Sequence, residues 1–206
     1  MSFHHPGLLH AILAIGSLQI SKLQNTPATA AMKHYHLSIR RIAKNLKSPT
    51  RRSQPATLAA SLLLSYFEVW SSDHSKWCNH LFGARILFRE IPLRQMSRQC
   101  LPIKRMRQIE LATQLLHARQ AASPSQPFPP QLSAIAGALD FELLSHIVGS
   151  PVLPEDYGLG PDTISGIPQI IPSEKDIEKY ENLRDLFWWY CKMDVYQSML
   201  GGTKLL

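Results

Sequence analysis

Apolar and polar positions along this chain recur with the period of a helix over most of its length. The first apolar stretch opens near Pro6 and Gly7 and places Leu8, Leu9, Ile12, Leu13 and Ile20 on one broad surface. Gly16 and Ser17 lower helix propensity there (Gly by ~1 kcal/mol relative to Ala), so they are read as room for a neighbouring helix. Asn25-Thr26-Pro27 ends the stretch, and Pro27 suits the first turn of the next helix. In that second helix Tyr35, Ile39, Ile42 and Leu46 share a face, with Arg40, Arg41, Lys44 and Lys47 around it, and Ser48-Pro49 stops it. Pro55 opens a third helix to about Trp70, whose Leu58, Leu62, Tyr66 and Val69 stripe is widened by Leu63 and Leu64. Such a helix is expected to be buried on most sides.

Ser71-Ser72-Asp73 makes a turn and cap before a fourth helix carrying Trp77, Leu81, Ala84, Leu87, Phe88 and Ile91 up to Pro92. A fifth is expected to open at Pro102, to use Met106, Ile109, Thr113 and Leu116, and to end at Ser123-Pro124. A Pro-rich stretch follows, then a short helix over 132–148 with Gly149 as its stop. Residues 150–172 are rich in Pro and Gly and read as an irregular loop. The last helix starts at a capping pattern, Ser173 with Asp176, and runs through Tyr180, Leu183, Phe187 and Tyr190 to about Leu200. No set of strands and no repeat of fixed period appears. The expected fold is all-α: an irregular multi-helix array with a Pro-rich linker and a long loop before the last helix. Residues 1–122 form its N-terminal helical part, 123–131 the linker, and 132–206 a helix, an irregular loop and an aromatic helix of the same domain.

Composition agrees with a folded chain: 45% of residues are hydrophobic and 18% charged. No apolar run reaches the ~18 residues of a membrane span, and no secretory leader is expected. Charge changes the picture more. Through residue 120 there are 17 basic and 4 acidic residues, and no Asp or Glu precedes Glu68; the remainder holds 5 basic and 11 acidic, so the two parts carry +13 and −6. A nucleic-acid face is one reading. The favoured one is a solvated helical surface that pairs with acidic segments elsewhere.

Catalytic templates fail: there is no HExxH, no Gly-rich phosphate loop, no GxSxG and no dinucleotide fingerprint. His34 and His36 flank Tyr35 but stand two apart, a spacing that points them away from each other on a helix. Cys78 and His80 are separated in the same way, so the nucleophile–base reading is set aside for packing roles. Cys78, Cys100 and Cys191 make no CxxC pair, so neither a disulfide framework nor a metal site is expected. Aromatic residues gather in two places, Tyr66 to Trp77 and Phe187 to Tyr196. Adjacent Trp188 and Trp189 cannot both face one core, so Trp70, Trp77, Trp188 and Trp189 are the candidates for a ligand or partner surface.

Five segments in order resemble the fungal-specific transcription factor domain: Ala14 to Ser17, His34-Tyr35, Leu62 to Trp70, Trp77 with His80 to Ala84, and the late run DLFWWYCKMDVYQSMLGGTKL. The resemblance covers residues 3–93 and about 180–206. It implies the helical regulatory region of a zinc-cluster regulator of RNA polymerase II transcription, nuclear and without catalytic activity. Such regulators contact DNA through six cysteines holding two zinc ions. That array is not in this chain, which is expected to be a piece of a longer regulator; zinc and DNA contact belong to the missing cluster. No cofactor is expected in this chain and no membrane association. Protein partners or self-association, and a small-molecule effector, are the inputs the resemblance implies. The alternative is a cluster-less interaction module or inhibitor of a related regulator.

Overall fold

In the computed structural model residues 4–122, 140–157, 172–202 and 204–205 are described, the side chains of 116–122 and 155 excepted. Among them lie eight α-helices and no strand: α1 (Pro6–Leu23), α2 (Thr29–Leu46), α3 (Pro49–Arg52), α4 (Pro55–Ser71), α5 (His74–Arg89), α6 (Leu93–Ala122), α7 (Phe141–Val148) and α8 (Glu174–Gly201), with a 3-10 turn at Pro154–Tyr157. The all-α expectation holds. The chain divides into two compact units, Met1–Ile91 with Glu181–Leu206, and Pro92–Tyr180. The expected linker 123–131, the first part of the helix expected at 132–148, and most of the loop expected at 150–172 lie outside the described residues.

In the first unit α1 packs on α2 and α4, and α4 packs on α5. The face α1 buries differs from the expected one. Gly7, Ala11, Ala14, Leu18 and Ser21 are buried, whereas Ile12, Leu13 and Ile20 are exposed and Gly16 has open space around it. Small side chains win the interior because they let helix axes approach, and Ala11 and Ala14 meet Ala31 and Tyr35 of α2 and Ala60, Leu64 and Phe67 of α4. Ser38 Oγ donates to the Gly7 carbonyl at 2.8 Å and ties α2 to the first turn of α1. The second helix begins at Thr29, after Pro27, and the short α3 was not expected.

Helix α4 is buried along much of its length, as expected. Leu58, Leu62, Leu64 and Phe67 are fully or almost fully buried, while Tyr66 and Val69 face outward. Asp73 caps α5 by accepting from the Lys76 N–H at 3.0 Å. Trp77, Leu81, Ala84, Leu87 and Phe88 then form its inner face, as their spacing predicts. Phe88 stacks edge-on with Phe187 of α8 and lies 5.5 Å from the Tyr190 ring. Further along α8, Met193 meets Ser65, and the Gln197 amide donates to Cys78 Sγ at 3.3 Å.

In the second unit α6 starts at Leu93 and passes through Pro102, which is inside the helix and not at its start. The expected stripe is mostly outward there: Met106 and Ile109 are exposed. The buried cluster is Cys100 with Ile177 and Tyr180, against Met96, Leu101 and Ile103. Asp156 receives both Arg94 and Arg98, and Arg107 pairs with Glu174. Basic residues of the first part thus meet acidic residues of the second, the pairing that the charge asymmetry favours. Asp140 caps α7 through the Leu143 N–H, and Gly149 ends it in the left-handed region with φ 68°. Ser173 and Asp176 cap α8 reciprocally, as expected.

Candidate functional site

Three helices of the first unit bring one polar side chain each together, Tyr35 and Glu68 buried and His80 half-buried. Tyr35 on α2 lies against the Phe67 ring, 4.8 Å between centroids, and only 5% of it is exposed. Its hydroxyl is 2.9 Å from His80 Nε2 on α5. Glu68, one residue after Phe67 on α4 and 2% exposed, places Oε1 4.0 Å from the same nitrogen. Its other oxygen accepts from Ser71 Oγ at 2.9 Å.

Burial pushes the His80 pKa down; Glu68 opposes that, and Lys76 adds to it. Burial, then hydrogen bonding to and charge on Glu68, raise the Tyr35 hydroxyl well above the ordinary tyrosine range. The Tyr35 hydroxyl and His80 Nε2 share one hydrogen bond, with the donor set by the imidazole tautomer. Such an arrangement locks helices together, because each group deprived of its partner would be buried unsatisfied.

The four tryptophans are placed apart. Trp77 is buried, its ring edge-on to His74, and among the described residues its Nε1 has no hydrogen-bond partner. Trp70 lies near Tyr66 at the end of α4 and is partly exposed. Trp188 is 61% exposed and Trp189 is half-buried, so the two neighbours do point to different surroundings. Among the described ring contacts none joins two of the four. Beside them, burial first and then Asp194 push the Tyr190 hydroxyl up to about 12. Cys78 and His80 do not meet: the Cys78 thiol is 3.6 Å from His74 Nε2, one turn earlier.

Two groupings escaped the sequence reading. The Tyr35–His80–Glu68 cluster joins residues up to 45 positions apart, although one signal pointed to it: Glu68 is the first acidic residue in the chain and sits in a Leu-rich helix. The second is His10 of α1 stacked on His34 of α2, with Nδ1 atoms 3.2 Å apart. Nothing in periodicity pairs them. Among the described residues no group of three or more His, Cys, Asp or Glu side chains could hold a metal ion. No helix there is long and apolar enough to cross a membrane.

The fold and the buried cluster define a helical domain whose polar residues fasten helices to one another. A profile described as the fungal specific transcription factor domain matches residues 1–120, more than half the chain, and the chain belongs to that family. No curated protein and no solved structure matches it. The matched region contains every helix that contributes to the Tyr35–Glu68–His80 cluster, and three of the five segments of the family pattern meet there.

Proposed function

We propose that this chain is the regulatory helical domain of a nuclear zinc-cluster transcription factor acting on RNA polymerase II transcription. The observation that carries the reading is the family match over residues 1–120. In this reading DNA is contacted by a two-zinc, six-cysteine cluster outside the chain; Cys78, Cys100 and Cys191 are too few and too scattered to form one. The domain's part is to restrain or transmit activity. A polar network spanning α2, α4 and α5 makes their packing interdependent, so an effector or partner that favours one packing biases all three helices. Protein partners or self-association have apolar surface to use: Trp188, Tyr196, Met199 and Leu200 of α8 are all more than 60% exposed.

The test places the chain between a heterologous DNA-binding domain and an activation domain, on a nuclear reporter in a fungal host. Reporter output is expected to differ several-fold from that of the same fusion without the chain, and Glu68→Ala is expected to shift it back. Equal output at equal protein level, with and without the chain, would overturn the reading. The exposed edge of α8 favours a second reading, an interaction module that inhibits a related regulator. Co-expression of the chain alone with a full-length family member decides it: lowered output supports inhibition, and unchanged output rules it out.

A further inference from the structure

We propose that a cleft between the starts of α1 and α4 binds a small organic anion bearing a phosphate or carboxylate group. The cleft encloses about 370 Å³ within the first unit, near the lower end of the ~300–1,000 Å³ of small-molecule sites. Arg41 and Lys44 of α2 and Arg51 of α3 line it. No Asp or Glu lines it, none of the three cations has a carboxylate partner among the described residues, and the chain has no acidic residue before Glu68. All three cations are exposed, and three positive charges lining one cleft favour an anion placed there.

The backbone adds donors to the charges. Both helices start with a proline, neither has a side-chain cap, and neither has an acidic residue in its first turn. Pro6 and Pro55 have no N–H, and among the described residues no backbone acceptor is paired with the first-turn N–H groups of Gly7 and Leu8 in α1 or of Ala56 in α4. All three residues line the cleft. Two uncapped helix ends and three cations therefore face one volume, and each helix end favours negative charge.

The cleft is also built rigidly. Thr57, 2% exposed, donates to the Arg51 carbonyl at 2.9 Å and receives the Asn45 amide at 3.1 Å, which fixes α3 against α2 and α4. A Cβ on Gly7 would come within 3.3 Å of the Arg41 Cβ, so the Arg41 stem lies directly on the first turn of α1. Leu8, Ile42 and Ala60 give the cleft an apolar side, which suits an organic anion with a small carbon body. A duplex is a poor fit: it needs phosphate contacts spread over a long surface, not donors gathered in one pocket.

The site does not depend on the transcriptional reading, and its test uses the purified chain. The ¹⁵N-labelled protein is titrated with pyrophosphate and separately with citrate, each against sodium chloride at matched ionic strength. Saturable shifts of the Gly7, Leu8 and Ala56 amides are expected with at least one anion, and the tighter of the two tells phosphate from carboxylate chemistry. Arg51→Gln is expected to weaken binding about tenfold or more, whereas Lys33→Gln, on an exposed part of α2 outside the cleft, leaves it unchanged. The proposal is overturned if neither anion gives saturable shifts at these amides. It is equally overturned if Arg51→Gln and Arg41→Gln both keep full affinity with an intact amide spectrum, or if a short DNA duplex displaces pyrophosphate at lower concentration than pyrophosphate itself requires.

Discussion

Glu68 is almost wholly buried in a part of the chain that is otherwise basic or apolar, and it stays there because Ser71 and the His80 edge surround its carboxylate. The neighbouring Tyr35–His80 bond crosses from α2 to α5 and can be tested as a pair. Tyr35→Phe and His80→Phe should each destabilise the protein by about 1–3 kcal/mol, because each leaves a buried or half-buried partner unsatisfied. The double variant should cost less than the sum by about 1 kcal/mol, since removing the second partner removes the orphan. Urea unfolding of the four proteins measures this; strictly additive losses would show that the two side chains are not coupled. Part of this site could be read from sequence. An isolated acid in a run of leucines marks a buried polar group, but its partner is set by how helices cross, and the spacing of His80 on its own helix carries no information about α2. The tryptophans show the same division: the contrast between Trp188 and Trp189 follows from their adjacency, whereas the burial of Trp77 follows from the packing of α5.

At the scale of elements, legibility tracked local chemistry. Helices α5 and α8 begin where Asp73 and Ser173 can cap them, and both starts were visible. Pro102 reads as a start because proline is favoured at a first turn, but the residues before it already form α6. Pro102→Ala restores the missing N–H in mid-helix and should stabilise the second unit by up to about 3 kcal/mol, read as slower amide exchange around Cys100. Slower exchange should not appear if Pro102 sits at a break in the helix. In α1 the large apolar residues Ile12, Leu13 and Ile20 lie on the exposed face and the small ones on the buried face. Ala14→Leu should overpack the contact with α2 and α4 and cost about 1–3 kcal/mol. Ile12→Ala, on the exposed face, should cost less than about 1 kcal/mol. If Ile12→Ala proved the more damaging of the two in thermal melts, the alanine face would not be the core.

For the whole molecule, the two units should respond to acid in different ranges. In the first unit burial lowers the pKa of both His10 and His80 below the ordinary 6.5, and His10 is depressed further by His34 and Arg41. The folded state therefore prefers both rings neutral. Their contribution to stability is complete above about pH 6.5 and is lost as pH falls through the lower folded values, because the unfolded chain takes up protons first. In the second unit Asp156 is held far below its ordinary 3.8, chiefly by hydrogen bonding to Arg94 and then to Arg98, so what it contributes is lost only as pH falls below that value. All four tryptophans belong to the first unit, which makes their fluorescence a selective probe of it. The urea midpoint followed by that fluorescence should drop between about pH 7 and about pH 5. Over the same window, exchange protection of the Ile177 and Tyr180 amides should hold steady. His10→Asn should shrink the drop, because it removes one depressed ring and relieves the contact with His34. A fluorescence midpoint that stays level or rises on acidification would mean that the folded state does not hold these rings neutral, and that their stacking and burial do not couple the first unit to pH.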